Sequence, residues 1–271
     1  MYLIRYGELA LKSKKVRQRF EDILILNIKN ALEKHGKNAR IKNIYGRFLA
    51  ESEKNLDEEL KKVFGIVSFS PCFKSPSDLA EIKKMSLHIA NLKKVETFAI
   101  RCNRTGEHSY SSKDVEKEVG ALIVEKFGNR VDLTKPDKTI WIDVRNKEAY
   151  FYTEIIEGPG GLPIGTAGKV FCFVENFNDA AAAWLFMKRG CEVVFSGKYP
   201  EDLEKWNSGK KLIFENGHIE DILEKQKFLA IVRGEVEIKK WQDEFPLPIF
   251  RPLIGFGEKE LDELGKKIRA N

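Results

Sequence analysis

The chain has 271 residues, of which 42% are hydrophobic and 32% charged, a balance typical of a globular protein large enough for two or three domains. No apolar run is long enough to span a bilayer and the N-terminus has no signal-peptide core, so we expect a cytoplasmic protein without a membrane partner. The net charge of +6 is uneven, because residues 1–50 hold 12 Lys and Arg against 4 Asp and Glu, whereas the remainder holds 35 against 37. A basic end on a nearly neutral body indicates a polyanionic partner, although a solvated basic helix face explains the charge equally well.

Residues 1–73 are predicted to form an α+β domain. Hydrophobic periodicity indicates two helices and four strands, and Gly36 is the expected end of the first helix. The predicted elements are a strand at 2–5, a helix from Ser13, strands at 41–44 and 47–50 around a turn at Tyr45 and Gly46, a helix at 56–63 and a strand at 66–69. This β-α-β-β-α-β order is that of a ferredoxin-like unit. Its basic residues are candidate RNA contacts: Arg5, Lys12, Lys14, Lys15, Arg17 and Arg47.

A second domain is predicted over residues 74–166. Its expected elements are helices at 79–92 and 114–127 and strands at 97–101, 139–144 and 149–153. Two arginines near the end of the first strand precede a Ser-Ser helix start, and cations beside free helix N–H groups suit a phosphate. One of the two serines is expected to cap the helix in any case. The candidate RNA contacts here are Arg101, Arg104, His108, Ser111, Ser112 and Lys113.

Residues 167–271 are predicted to form a doubly wound α/β domain with a parallel sheet. Strands are expected at 169–174, 191–195, 211–214 and 228–232, with an Ala-rich helix from about Asp179. A strand that leads through a loop into a helix N-terminus is where such folds hold a nucleotide phosphate. No glycine occurs between Lys169 and Lys188, however, and Glu175 places a negative charge where a phosphate would lie.

The cysteines and histidines of the chain are isolated from one another. Cys72, Cys102, Cys172 and Cys191 have no metal-ligand spacing, and we interpret them as buried thiols. No metal site is therefore predicted.

Four stretches of the sequence resemble the tRNA 4-thiouridine synthetase family, the thiamine-biosynthesis tRNA sulfurtransferases. They are Arg5–Lys12, residues 101–113 in the part that resembles a THUMP domain, the Gly- and Pro-rich linker 158–166, and Arg-Pro-Leu-Ile-Gly at 251–255. The resemblance implies a ferredoxin-like domain, an RNA-binding THUMP domain and an ATP-pyrophosphatase domain. It also implies a homodimer. Trp184, Trp206 and Trp241 of the third domain are candidate interface aromatics, although they fit the core of that domain as well, Trp184 at least equally so.

The sequence departs from this family where the family holds ATP. The motif Ser-Gly-Gly-x-Asp-Ser falls here on Val174, Glu175, Asn176, Phe177, Asn178 and Asp179, so the serines, both glycines and the Asp are replaced. The segment Gly-Asp-Ser-Leu-Gly-Gln falls on 234–239, where only Gly234 is kept. The chain ends at Asn271, before the position of the family's sulfur-transferring cysteine. These differences predict a degenerate nucleotide loop, in which Asp179 caps the helix.

Three functions fit these observations. The first is a tRNA-binding protein, or one for another structured RNA, that lacks competent ATP-dependent catalysis and needs no cofactor. The second is an active ATP-dependent tRNA sulfurtransferase, which would require ATP and Mg²⁺. The third is a protein scaffold that does not bind RNA, and the basic N-terminal region counts against it.

Overall fold

The computed structural model describes residues 1–7, 13–44, 46–94, 96–237 and 245–270. The elements are, in chain order, β1 (Tyr2–Tyr6), α1 (Lys14–Glu33), β2 (Arg40–Asn43), β3 (Phe48–Glu51), α2 (Asp57–Leu60), β4 (Ile66–Pro71), β5 (Phe73–Pro76), α3 (Leu79–Ala90), β6 (Phe98–Thr105), α4 (Ser112–Phe127), β7 (Lys138–Arg145), β8 (Glu148–Tyr152), β9 (Ile156–Glu157), β10 (Lys169–Val174), α5 (Phe177–Lys188), β11 (Glu192–Gly197), a 3-10 helix (Glu201–Trp206), β12 (Ile213–Phe214), α6 (Ile219–Lys225), β13 (Ile231–Val232), β14 (Ile249–Phe250) and α7 (Glu258–Arg269).

These elements pack into two compact units, each assembled from separate stretches of the chain. The first unit contains Met1–Arg5, Arg40–Glu53 and Ser68–Glu157. The second contains Tyr6–Ala39, Lys54–Val67 and Gly158–Asn271. The domain boundaries proposed near residues 73 and 166 remain predictions.

The first sheet has the strand order β2-β3-β1-β4-β9, and β3 is antiparallel to both β1 and β2. With one helix after β1 and another after β3, this is the predicted ferredoxin-like arrangement, which is confirmed. The turn residue Tyr45 lies outside the described residues. The second predicted helix is shorter than expected and covers only Asp57–Leu60.

The second sheet has the order β5-β8-β7-β6, in which β6 and β7 are parallel and the other pairs antiparallel. Helices α3 and α4 bury one face of this sheet through an apolar core that includes Phe98, Ile140, Val119 and Ile123. Strand β6 continues to Thr105, so the arginines expected near its end lie within it. The alternation of β6 and β7 therefore decides which of their polar residues share the opposite face of the sheet.

The third sheet belongs to the second unit and has the order β12-β11-β10-β13-β14, with every adjacent pair parallel. The prediction of a parallel-sheet α/β domain is confirmed. Because a parallel sheet with helices on both faces is buried, the Lys169–Val174 strand is almost entirely apolar. Helix α5 follows it and begins at Phe177, two residues before the predicted start.

The tryptophans proposed as interface aromatics lie in the core of the second unit. Trp184 is 1% exposed and Trp206 is 5% exposed, and their rings meet edge to face with centroids 5.3 Å apart. The Trp206 indole also stacks on Phe64, at 5.4 Å. Both are therefore core residues, the alternative left open for them, and their proposed role as exposed interface aromatics is wrong. Trp241 lies outside the described residues.

Within the described ranges, no helix is both long and apolar enough to cross a membrane.

Candidate functional site

The carboxylate of Asp179 binds backbone N–H groups of the loop between β10 and α5. Asp179 Oδ2 accepts the backbone N–H groups of Glu175 at 3.0 Å and Asn176 at 3.2 Å. Asp179 Oδ1 accepts the N–H of Gly234 at 2.9 Å. The Asp179 side chain is buried, so its negative charge is balanced by three converging N–H dipoles rather than by water.

The start of α5 is thereby fully capped. The Asn176 side-chain oxygen accepts the N–H of Asn178 at 2.8 Å. The Asp179 carboxylate in turn accepts the N–H of Asn176, which completes a capping box. Gly234 comes so close that a Cβ there would collide with the backbone of Asn178 and Asp179. The backbone N–H groups of this loop are therefore occupied, and a phosphate placed at the first turn of α5 would be repelled by the Asp179 carboxylate.

A cavity of about 340 Å³ opens beside this loop. Phe173, the two asparagines of the loop and residues 233–237 contribute to its lining. Arg233 Nη1 lies 3.4 Å from Glu235 Oε1, and Arg251 Nε lies 3.5 Å from Glu235 Oε2. Both arginines pair with this carboxylate, and Glu175 and Glu237 add further negative charge. The surroundings therefore suit a polyanion such as the triphosphate of ATP poorly. Lys239, at the end of the second family segment, lies outside the described residues.

Three of the four cysteines are buried as expected, Cys72, Cys172 and Cys191, whereas Cys102 is only half-buried. Burial raises the pKa of Cys72 to about 12 and that of Cys102 to about 12. Burial also raises the pKa of Cys172 and of Cys191. Because the thiolate is the nucleophile, none of these four cysteines has the environment of a sulfur-transferring residue. Within the described ranges, no group of three or more His, Cys, Asp and Glu side chains is arranged to hold a metal ion.

The predicted RNA contacts of the second sheet lie together at the C-terminal part of β6 and the start of α4. Arg104 Nη1 donates to the carbonyl of Gly106 at 2.9 Å and lies 3.2 Å from Nδ1 of His108. The other ring nitrogen of His108 lies 2.6 Å from the carbonyl of Asn146. These two residues order the loop after β6, whereas Arg101 is exposed and donates to the carbonyl of Leu133.

The helix start beside them is capped as expected. Ser111 Oγ accepts the N–H of Asp114 at 3.2 Å, and the Asp114 carboxylate accepts the N–H of Ser111 at 2.8 Å. Ser111 is therefore committed to the helix. Ser112 is half-buried and Lys113 is exposed at the first turn.

Two other predicted RNA contacts, Arg5 and Arg47, belong to a cluster of arginines in the first unit, in which Arg47 and Arg145 pair with the buried Asp143. Arg145 holds Asp143 with two bonds of 2.7 and 3.2 Å, and Arg47 Nε lies 3.8 Å from Asp143 Oδ2. Arg5 donates to Ser70 at 3.1 Å and its guanidinium lies 4.5 Å from the Tyr152 ring centroid. Burial, together with the charge of Arg145, lowers the pKa of Arg47. Asp143 and Arg145 are buried and structural, whereas Arg5 and Arg47 are partly exposed.

Sequence reasoning missed Asp143 and Arg145, although their spacing of two residues in β7 was a usable signal for a shared face. The remaining predicted contacts lie on α1, where Lys14 and Lys15 are exposed and Arg17 pairs with Glu21 at 3.8 Å. Lys12 lies outside the described residues, as do Glu8–Leu11 of the N-terminal signature.

Comparisons with known proteins agree with this architecture. The ThiI ferredoxin-like domain family matches residues 1–70, and the THUMP domain family matches residues 76–154. A tRNA sulfurtransferase from Thermoplasma volcanium is 34% identical over 98% of this chain and 67% of its own length. Further curated relatives align over 52% to 87% of their own lengths.

Two solved structures are similar over nearly the whole chain. A crystal structure from Pyrococcus horikoshii Ot3 matches with a TM-score of 0.85 and 28% identity, covering 98% of each chain. A 4-thiouridine synthetase, crystallised as an RNA complex with bound ATP, matches with a TM-score of 0.79 and 27% identity, covering 98% of this chain and 84% of its own. Sequence identity, domain content and fold agree, and the chain belongs to the tRNA sulfurtransferase family.

Proposed function

We propose that this protein binds tRNA in the cytoplasm and does not carry out ATP-dependent thiolation by itself. One observation carries the second half of the proposal: the Asp179 carboxylate takes the three backbone N–H groups of Glu175, Asn176 and Gly234. Those are the groups that an anion at the start of α5 would need.

Electrostatics supports a low affinity for ATP. A phosphate charge about 4 Å from a carboxylate is repelled by about 4 kcal/mol at surface-like screening, which is roughly a thousandfold in affinity. The attraction between a negative charge and a helix N-terminus contributes only about 0.3–1 kcal/mol, or about 2 kcal/mol in a partly buried setting. Repulsion by Asp179, with Glu175 close by, therefore outweighs the attraction of the helix.

The thiols support the same proposal for the sulfur-transfer step. A persulfide or thiolate chemistry needs a cysteine whose pKa is lowered by neighbouring positive charge. Burial raises the pKa of all four cysteines of this chain instead.

The RNA-binding half of the proposal rests on the THUMP match and on surface charge. Lys14, Lys15, Arg101 and Lys113 are exposed, and the related 4-thiouridine synthetase was crystallised with RNA. Active ATP-dependent sulfurtransfer remains the alternative, which the names of the relatives favour. A homodimer stays a proposal that rests on the family resemblance.

We expect tRNA binding by the full chain to weaken steeply with salt. Each phosphate contact contributes about 0.7–0.9 to the slope of log affinity against log salt concentration. The double variant Arg101→Ala with Lys113→Ala should lower that slope by roughly 1.4–1.8, measured by filter binding at several salt concentrations. Lys210→Ala, an exposed lysine of the second unit, is the matched control and should leave the slope unchanged. Equal slopes for the double variant and the control would refute this location of the RNA surface.

A further inference from the structure

One side of the second sheet is left partly open at its β6 edge. Along β6, Arg101, Asn103 and Thr105 alternate with buried or half-buried residues and are exposed. Arg101 is paired in register with Trp141 of β7, Asn103 with Asp143 and Thr105 with Arg145. Because paired residues on adjacent strands point to the same side, the three exposed residues share the face of Trp141. Arg101 lies directly beside Trp141, whereas Asn103 and Thr105 follow further along β6, beside Asp143 and Arg145. We call Arg101, Asn103, Thr105 and Trp141 the β6 strip.

Trp141 is held in place by a stack of planar groups. Its ring lies 5.7 Å from the Tyr152 ring, and the two planes differ by only 6°. On Tyr152 lies the guanidinium of Arg5, 4.5 Å from the ring centroid. Tyr152 is 7% exposed, whereas Trp141 is only partly buried. The stack, together with the apolar cluster that Trp141 packs against, therefore fixes the orientation of the indole.

The charges around the strip are mainly positive. Arg101 is exposed, the Arg47 side chain is 24% exposed, and Arg145 lies beside Thr105 on the adjacent strand and donates to its hydroxyl at 3.3 Å. The carboxylate among them, Asp143, is 2% exposed and already bonded to Arg145. A ligand on this face meets a rigid aromatic plane, an amide, a hydroxyl and a surplus of guanidinium charge.

We propose that the β6 strip binds an unpaired RNA nucleotide, with its base stacked on Trp141 and its phosphate near Arg101. Single-stranded RNA is recognised by stacking of bases on aromatic side chains and by polar groups at base edges, and Asn103 is the polar strip residue next along β6 from Arg101. An apolar peptide segment is disfavoured because three of the four strip residues are polar. This inference rests on the proposed tRNA binding and names where one nucleotide is recognised.

The test compares tRNA with heparin, a polyanion that has no bases, on the full-length protein. Trp141→Ala should weaken tRNA binding by about 5- to 150-fold, the loss of one stacked base, and leave heparin affinity within about twofold. Trp141→Phe keeps an aromatic plane on Tyr152 and should retain most of the tRNA affinity. Fluorescence gives a second reading, because tRNA should change the emission of the wild type and less so that of Trp141→Phe.

Each outcome separates the two proposals. Wild type that binds neither tRNA nor heparin refutes RNA binding itself. Wild type that binds tRNA, with Trp141→Ala unchanged, refutes the stacking site and leaves the proposed function intact. Equal losses for tRNA and heparin would mean that Trp141 is only structural, and the stacking site would again be refuted. A selective loss for tRNA that Trp141→Phe restores supports the inference.

Discussion

Asp143→Asn is expected to lower the free energy of unfolding by about 3–5 kcal/mol, the usual cost of breaking a buried ion pair from one side. The carboxylate is 2% exposed and receives two bonds from Arg145, with Arg47 at 3.8 Å. Without the negative charge of Asp143, the guanidinium groups of Arg145 and Arg47 repel each other, and the charge of Arg5 adds to this repulsion. Urea unfolding followed by circular dichroism measures the loss.

Asp202→Asn is the matched control for this prediction. Asp202 pairs with Arg269 at 3.5 Å, but the two side chains are 46% and 58% exposed. Exposed pairs contribute about 0–1 kcal/mol, so this change should be nearly neutral. If Asp143→Asn cost no more than Asp202→Asn, the arginine cluster would not depend on its carboxylate as described.

Asp179→Ala is expected to be the second large effect, with a loss of roughly 2–5 kcal/mol in the free energy of unfolding. The buried N–H of Gly234 loses its acceptor, which costs about 1–3 kcal/mol. The partly buried N–H groups of Glu175 and Asn176 lose the helix cap, which costs about 0.5–2 kcal/mol. The vacated position should then accept a free oxyanion, so sulfate should raise the thermal midpoint of the variant by mass action. Differential scanning fluorimetry over a sulfate series measures both effects.

Asp114→Ala controls for general effects of sulfate and of capping. Asp114 also closes a capping box, but it lies at the exposed start of α4, where its carboxylate accepts the N–H of Ser111. Sulfate strengthens many folds by exclusion from the surface, so the wild type and Asp114→Ala set that baseline. A sulfate response of Asp179→Ala no larger than theirs would contradict the idea that Asp179 occupies an anion site.

Local patterns in the sequence predicted the element order and the helix starts. Alternation and 3.6-residue spacing identified the ferredoxin-like order and the parallel sheet. The Ser-Ser pair predicted that one of the two serines caps α4, and Ser111 is the one that does. These features depend on residues within a few positions of one another, which is why a single sequence reveals them.

Long-range contacts could not be predicted in the same way. The third N–H bound by Asp179 comes from Gly234, which is 55 residues further along the chain. Asp143 and Arg145 have the spacing of a solvent-facing strand, but other parts of the first unit bury them. Arg5 and Arg47 looked like surface cations for the same reason. Charge along a sequence does not reveal which face of a strand a second sheet will cover.

The most direct test of the proposed function is isothermal titration of the wild-type protein with ATP and Mg²⁺. Because Asp179 already holds the three N–H groups at the start of α5, we predict no saturable binding in the micromolar range. A variant with Val174→Ser, Glu175→Gly, Asn176→Gly, Asn178→Asp and Asp179→Ser, titrated alongside, should bind ATP more tightly than the wild type. Micromolar binding of ATP by the wild type would contradict the account and favour an active ATP-dependent tRNA sulfurtransferase.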